Sequence, residues 1–164
     1  MIYPILHFFS SVTLVSILMI SAPQALHSMN IETSDNYTIA KDKPTAIVLA
    51  FLSAMEKMDF DEALKHVTDS CEYTNGAAGT KFGPEGVREF LEPFFSQISK
   101  NEIVILRNSS TGPIVFVERL DKHLLKSGKW IELPVSAVFE VHDGKITLWH
   151  EYFDLATIRN QMAN

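Results

Sequence analysis

The stretch Glu118–Asp154, ERLDKHLLKSGKWIELPVSAVFEVHDGKITLWHEYFD, decides the fold, because strand-like runs alternate in it with tight turns. Two tetrapeptides, Lys126–Lys129 (KSGK) and His142–Lys145 (HDGK), carry glycine where β-hairpins favour it. The runs on either side are rich in β-branched and aromatic residues: Ile114–Leu125, Lys129–Val141 and Lys145–Phe153. The stretch therefore predicts an antiparallel meander.

Shorter strand signals lie upstream of the meander. Ile103–Arg107 reads as a strand that the turn-rich Asn108–Pro113 separates from the meander, and Cys71–Thr74 reads as another short strand. Gly76–Gly83 contains three glycines and no core pattern, so we expect a loop there.

The first half of the domain has a helical period. Apolar residues recur at helical spacing from Lys43 to Lys57, Phe60–Val67 fits a second short helix, and Pro84 opens a third that runs through Ser99. A last short helix is predicted near Leu155–Met162. The sequence therefore predicts an α+β fold, in which a curved, mixed or antiparallel sheet wraps around N-terminal helices.

The bulk composition describes one ordinary globular domain. The chain has 164 residues, 46% of them hydrophobic and 21% charged, and a formal net charge of −6. A nucleic-acid partner is disfavoured because basic residues are scattered and not clustered. Cys71 is the single cysteine, so no intramolecular disulfide can form, and we expect a structural role for it.

The N-terminal segment differs from the remainder, since no charged residue precedes Glu32. The apolar run Ile5–Ile20 and the small residues after it predict a signal peptide over residues 1–25, or else an uncleaved membrane anchor. Residues 26–43 read as a polar linker and residues 44–164 as the folded domain. We therefore expect a working domain outside the cytoplasm, periplasmic or secreted.

Alternation along the meander brings charged residues together. Arg119, Asp121 and His123 share one face of their strand, with Arg119 and Asp121 about 6.8 Å apart at the backbone. On the last strand Glu151 lies between the aromatic residues Trp149 and Phe153. If these faces line a cavity, the charges enter an apolar space and must pair with one another.

The strand between them supplies an apolar wall. Leu133 and Val135 belong to an alternating apolar series from Ile131 to Val141, which suits a pocket for a hydrophobic ligand. The alternative is that these faces meet solvent. Arg119, Asp121 and Glu151 would then form a cross-strand ladder of ion pairs that stabilises little.

The motifs in this stretch resemble the limonene-1,2-epoxide hydrolase family. That family shows Arg-x-Asp on one strand, an apolar strand followed by Gly-Lys-Ile, and then Trp-x-Asp-Tyr-Phe-Asp. Tyr73-Thr74-Asn75 resembles its Tyr-x-Asn, and GPEGVREFL resembles the helix that follows. The resemblance covers roughly Pro44 to Met162.

The resemblance implies an NTF2-like cone with a deep apolar pocket, commonly a homodimer, that needs no metal or cofactor. It implies that Asp121 protonates the epoxide oxygen, that Arg119 bridges two carboxylates, and that Tyr73 and Asn75 hold the attacking water. Glu151 stands where the family has the aspartate that takes the proton from this water, and its carboxylate reaches roughly 1.5 Å further.

The leading prediction is thus hydrolysis of a small hydrophobic epoxide to a vicinal diol. The alternatives are an epoxide-opening cyclase or isomerase of the SnoaL or ketosteroid-isomerase type, and an exported protein that binds apolar ligands without turnover. Trp149, Phe153, Leu133, Val135 and His123 are the predicted pocket walls. His150 alternates away from Glu151, and no pair of histidines suggests a metal site.

Overall fold

A computed structural model describes residues 42–163. The predicted signal peptide or anchor, and nearly all of the predicted linker, lie outside the described residues. The helices are α1 (Lys43–Glu56), α2 (Phe60–Leu64), α3 (Gly83–Phe95) and α4 (Leu155–Ala163). The strands are β1 (Val67–Asn75), β2 (Thr80–Phe82), β3 (Ile98–Thr111), β4 (Ile114–Leu125), β5 (Trp130–His142) and β6 (Lys145–Tyr152).

The strands form one six-stranded curved sheet in the order β2-β1-β6-β5-β4-β3. Strands β4 to β6 form the predicted antiparallel meander, and β4 has the predicted bounds. Strand β3 extends the meander by pairing antiparallel with β4. Strand β1 joins the sheet parallel to β6 and antiparallel to β2. The predicted α+β class with a mixed, curved sheet is therefore confirmed.

Helix α1 packs on the inner face of the sheet. Its first turn is capped by Asp42, whose carboxylate accepts a hydrogen bond from the Thr45 N–H at 2.8 Å. The Phe51 ring meets Trp149 of β6 edge-on, with centroids 4.9 Å apart, and both side chains are buried. This contact anchors the helix to the strand that carries Glu151.

Strand β3 is longer than the sequence predicts. It covers Ile98–Thr111 and not only Ile103–Arg107. The predicted break at Asn108–Pro113 is therefore reduced to the two residues between β3 and β4. Helix α3 ends at Phe95 and not at the predicted Ser99. Strand β4 provides hydrogen-bond partners along this whole length, and two register shifts absorb the irregular pattern. Pairing with a neighbour overrides the weak local strand signal here.

The predicted loop Gly76–Gly83 is also partly wrong. A 3-10 turn covers Gly76–Ala78, β2 pairs with β1, and α3 begins at Gly83. Gly83 has φ +68°, and a Cβ added there would lie 2.3 Å from the Asp69 carbonyl oxygen. Glycine at this position therefore permits a close approach of two backbones.

Two neighbouring bounds change as well. Helix α2 ends at Leu64, before the predicted Val67, and β1 extends the predicted Cys71–Thr74 in both directions. Among the described residues, none of the helices combines the length and the apolar character that crossing a membrane requires.

Candidate active site

The inner face of β4 is buried as alternation predicts. Val115, Val117, Arg119, Asp121 and His123 point inward. Arg119 is 3% exposed and Asp121 8%, while Glu151 of β6 is 6% exposed. These values exclude the alternative of a solvent-exposed ladder of ion pairs.

Arg119 joins the two carboxylates. Its Nε donates to Asp121 Oδ1 at 2.8 Å, and its Nη2 donates to Asp121 Oδ2 at 3.1 Å and to Glu151 Oε1. Strand β5 lies between β4 and β6, so the guanidinium reaches across it, and the β5 residue paired with Glu151 is the small Ala137. The sheet thus brings together the three predicted charged residues.

Tyr73 supports Glu151 from the neighbouring strand β1. Its hydroxyl donates to Glu151 Oε2 at 3.3 Å, and its ring stacks on Trp149 with centroids 4.1 Å apart. Asn75 pairs with Glu151 in the sheet and lines the cavity. Tyr73 is fully buried and reaches the cavity through its contact with Glu151.

The charges perturb one another. Burial alone would lower the pKa of Arg119, but the two carboxylates raise it above its usual range, so the guanidinium stays charged. Burial raises the pKa of Glu151, against the opposing effect of Arg119. Burial and the charge of Glu151 raise the pKa of Tyr73 well above its usual value, so its hydroxyl stays a donor.

The cluster lines a cavity of about 230 Å³. The predicted wall residues all lie on it: Trp149, Phe153, Leu133, Val135 and His123. Sequence reasoning missed the opposite wall, which comes from helices α1, α3 and α4: Leu52, Met55, Phe90, Leu91, Phe94, Phe95, Leu155 and Ile158. The amphipathic pattern of α1 and α3 indicated a buried face but not that part of it borders a cavity.

A second polar group lies on the same wall. His123 Nδ1 is 2.8 Å from Asn101 Oδ1, and Asn101 Nδ2 donates to the Met55 carbonyl oxygen at 3.0 Å. The His123 ring contacts Phe94 and Phe95 edge-on. Sequence reasoning missed Asn101 because it started β3 at Ile103; extending the alternation back by two residues places Asn101 on the inner face.

Two other predicted assignments agree with the structure. His150 lies away from the cavity, with Nε2 2.9 Å from Glu72 Oε1. Cys71 is fully buried, and burial raises the pKa of its thiol to about 12, so it is no ready nucleophile. Within residues 42–163, no three His, Cys, Asp or Glu side chains cluster as metal ligands.

An arginine between two carboxyls in an apolar cavity suits acid and base chemistry. With both carboxylates ionised the cluster carries a net negative charge that burial penalises, and one shared proton neutralises it. One carboxyl can then give a proton while the other accepts one. Their titration belongs to the pair.

Comparison with known proteins identifies the family of this chain. The family model for the limonene-1,2-epoxide hydrolase catalytic domain matches residues 42–164. Epoxide hydrolase EphG of Mycobacterium tuberculosis is 32% identical over 108 residues, which cover 66% of this chain and 71% of EphG.

Two solved structures share the fold. An M. tuberculosis LEH-like epoxide hydrolase superposes with TM-score 0.64 at 29% identity, covering 74% of this chain and 90% of that one. An NTF2-like protein of unknown function from Burkholderia pseudomallei superposes with TM-score 0.67 at 17% identity, covering 75% and 99%, and shows the fold alone. The chain therefore belongs to the limonene-1,2-epoxide hydrolase family.

Proposed function

We propose that this protein hydrolyses a hydrophobic epoxide to a vicinal diol by direct attack of water. The observation that carries the proposal is Arg119, held between Asp121 and Glu151 on the wall of an apolar cavity. The family match and the 32% identity to EphG support an epoxide hydrolase. The apolar lining supports a hydrophobic substrate.

The proposed reaction is one concerted step. Glu151 takes a proton from water as the water oxygen forms a bond to one epoxide carbon, and the bond from that carbon to the epoxide oxygen breaks. Asp121 gives its proton to the leaving oxygen, which becomes the second hydroxyl of the diol. The step leaves Glu151 protonated and Asp121 ionised. After product release Glu151 loses its proton to solvent and Asp121 takes one up, which restores the starting state.

The surrounding residues position these two groups. Arg119 fixes both carboxylates and stays charged throughout. The Tyr73 hydroxyl donates to one oxygen of Glu151. Asn75 lies on the cavity wall, and its side-chain amide holds the water beside this carboxylate. The raised pKa of Glu151 makes its carboxylate a stronger base than an exposed glutamate.

The test is a screen of terpene, styrene and steroid epoxides with detection of the diol, run on the wild-type protein and on Asp121→Asn. Asparagine keeps the size of the side chain but cannot transfer an acidic proton, so we expect kcat/KM to fall about 10²- to 10⁴-fold. Asp143→Asn, in the exposed β5–β6 turn, is the matched control and should retain activity. Undiminished turnover by Asp121→Asn would refute the role of Asp121.

A single turnover in ¹⁸O water distinguishes the mechanisms. Direct attack puts the label in the diol, whereas label in the protein would indicate a covalent enzyme intermediate. A cyclic ether without label would indicate that a substrate hydroxyl attacks, as in a cyclase. Ligand binding without turnover of any epoxide would indicate a binding protein.

A further inference from the structure

The hydrogen bonds around His123 fix which of its ring nitrogens carries a proton. The Met55 carbonyl oxygen can only accept, so the Asn101 amide must turn its NH₂ group toward it, as the 3.0 Å contact shows. The Asn101 carbonyl oxygen then faces His123 Nδ1 at 2.8 Å and also only accepts. Nδ1 is therefore the protonated nitrogen.

The other ring nitrogen is left as an acceptor. Burial lowers the pKa of His123, which keeps the ring neutral near pH 7. In a neutral ring protonated at Nδ1, Nε2 has a free lone pair. Among residues 42–163 the hydrogen bond of the His123 ring is the one at Nδ1, and none is made by Nε2. Nε2 is also absent from the buried side-chain atoms that lack a partner, so it keeps some exposure, and His123 lines the cavity.

The cavity wall therefore carries a hydrogen-bond acceptor beside two aromatic rings. Phe94 and Phe95 contact the His123 ring with centroids 5.1 Å and 6.2 Å away. An acceptor in such surroundings favours a ligand that brings a donor and penalises a ligand that leaves the lone pair without one.

We propose that His123 is a specificity-determining residue whose Nε2 accepts a hydrogen bond from a hydroxyl group of the substrate. The inference rests on the proposed function and names its substrate class: an apolar epoxide that carries a hydroxyl at its far end. Asp121 and His123 share one face of β4 two residues apart, roughly 7 Å at the backbone, so a substrate that contacts both carries its hydroxyl several bonds away from the epoxide.

The test compares limonene-1,2-epoxide with its analogue that carries a hydroxyl on C10 of the isopropenyl group. In the wild-type protein kcat/KM should be higher for the hydroxylated epoxide than for limonene-1,2-epoxide. The ratio of the first value to the second should fall up to tenfold in His123→Leu. His150→Leu is the matched control, since His150 lies away from the cavity, and should leave the ratio unchanged. A purely structural role of His123 would change both substrates equally, which would overturn the inference.

A second measurement needs no variant protein. The ¹⁵N chemical shifts of His123 should show a protonated Nδ1 and a bare Nε2 in the folded wild-type protein. A protonated Nε2 would overturn the inference, because that nitrogen could not accept.

Failure of the inference is separable from failure of the proposed function. If neither epoxide is hydrolysed, the function fails, and calorimetric binding of the same two compounds still tests His123. Weaker binding of only the hydroxylated compound by His123→Leu would support its role. Equal loss for both compounds would overturn it.

Discussion

At the scale of single residues, Arg119 sets the charge balance of the cavity. Replacing it by methionine keeps much of the side-chain volume but leaves two carboxylates buried without their cation. We expect Arg119→Met to lower the free energy of unfolding by about 3–5 kcal/mol at neutral pH, measured by urea denaturation.

Arg107→Met is the matched control for this measurement. Arg107 pairs with Glu118 at the surface, where an ion pair contributes at most about 1 kcal/mol. Equal destabilisation by the two substitutions would contradict the account of Arg119 as the counter-ion of a buried pair.

Tyr73 offers a test of how Glu151 is tuned. Its hydrogen bond stabilises the ionised carboxylate and so opposes the rise that burial causes in the pKa of Glu151. In the proposed reaction Glu151 must be deprotonated, so kcat/KM should fall as pH drops through this pKa, which lies above the ordinary 4.5. In Tyr73→Phe the acid limb of the pH–rate profile should therefore move to higher pH.

Tyr152→Phe is the control for the pH profile, since Tyr152 adjoins Glu151 in sequence but is exposed on the other face. Its acid limb should match that of the wild-type protein. If the acid limb of Tyr73→Phe lies at the same pH as that of the wild-type protein, a group other than Glu151 determines the acid limb.

The placement of Arg119, Asp121 and Glu151 is largely predictable from the sequence, because strand alternation depends only on the two-residue period. Alternation alone puts Arg119 and Asp121 on one face of β4, and Glu151 on the same face of β6 as Trp149. The tautomer of His123 is not predictable in this way, since it depends on Asn101 and on the Met55 carbonyl at the end of α1, 46 residues apart in sequence.

At the scale of elements, Gly83 controls the passage from β2 into α3. A methyl group at Gly83 would meet the Asp69 carbonyl at 2.3 Å, while at Gly112 nothing lies within 4 Å, and both residues have positive φ. We expect Gly112→Ala to lower the free energy of unfolding by about 1–2 kcal/mol, the cost of the left-handed conformation alone.

Gly83→Ala should lower the free energy of unfolding by clearly more than Gly112→Ala, because strand β1 or the start of α3 must also move. Urea denaturation of the two variants measures the difference. Similar losses would mean that β1 shifts at little cost and that the close approach at Gly83 is unimportant.

The bounds of β3 and β4 show how far a sequence pattern can predict a strand. Strand β4 is predicted to the residue because its alternation is strong and its two turns are well marked. The ends of β3 are not, since residues 98–102 and 108–111 become strand only through pairing with β4.

At the scale of the whole molecule, we propose the homodimer that the family resemblance implies. The outer face of the sheet exposes large apolar side chains on β3 and β4, among them Val104, Leu106 and Phe116. A covering partner would remove this surface from water. Sedimentation should give the mass of two chains, and Phe116→Lys should give one.

Phe82→Lys is the control, because Phe82 is exposed on β2 at the opposite end of the sheet. It should leave the mass at two chains. A wild-type protein that sediments as one chain at high concentration would contradict the dimer.

The parallel pairing of β1 with β6 also affects the order in which the contacts of the site form during folding. Asp121 and Arg119 are two residues apart on β4, so their ion pair is local in sequence. The hydrogen bond from Tyr73 to Glu151 joins residues 78 positions apart. A contact so distant along the chain forms late in folding. During synthesis Arg119 and Asp121 therefore precede Glu151, and the three charged residues can come together only after β6 has been made.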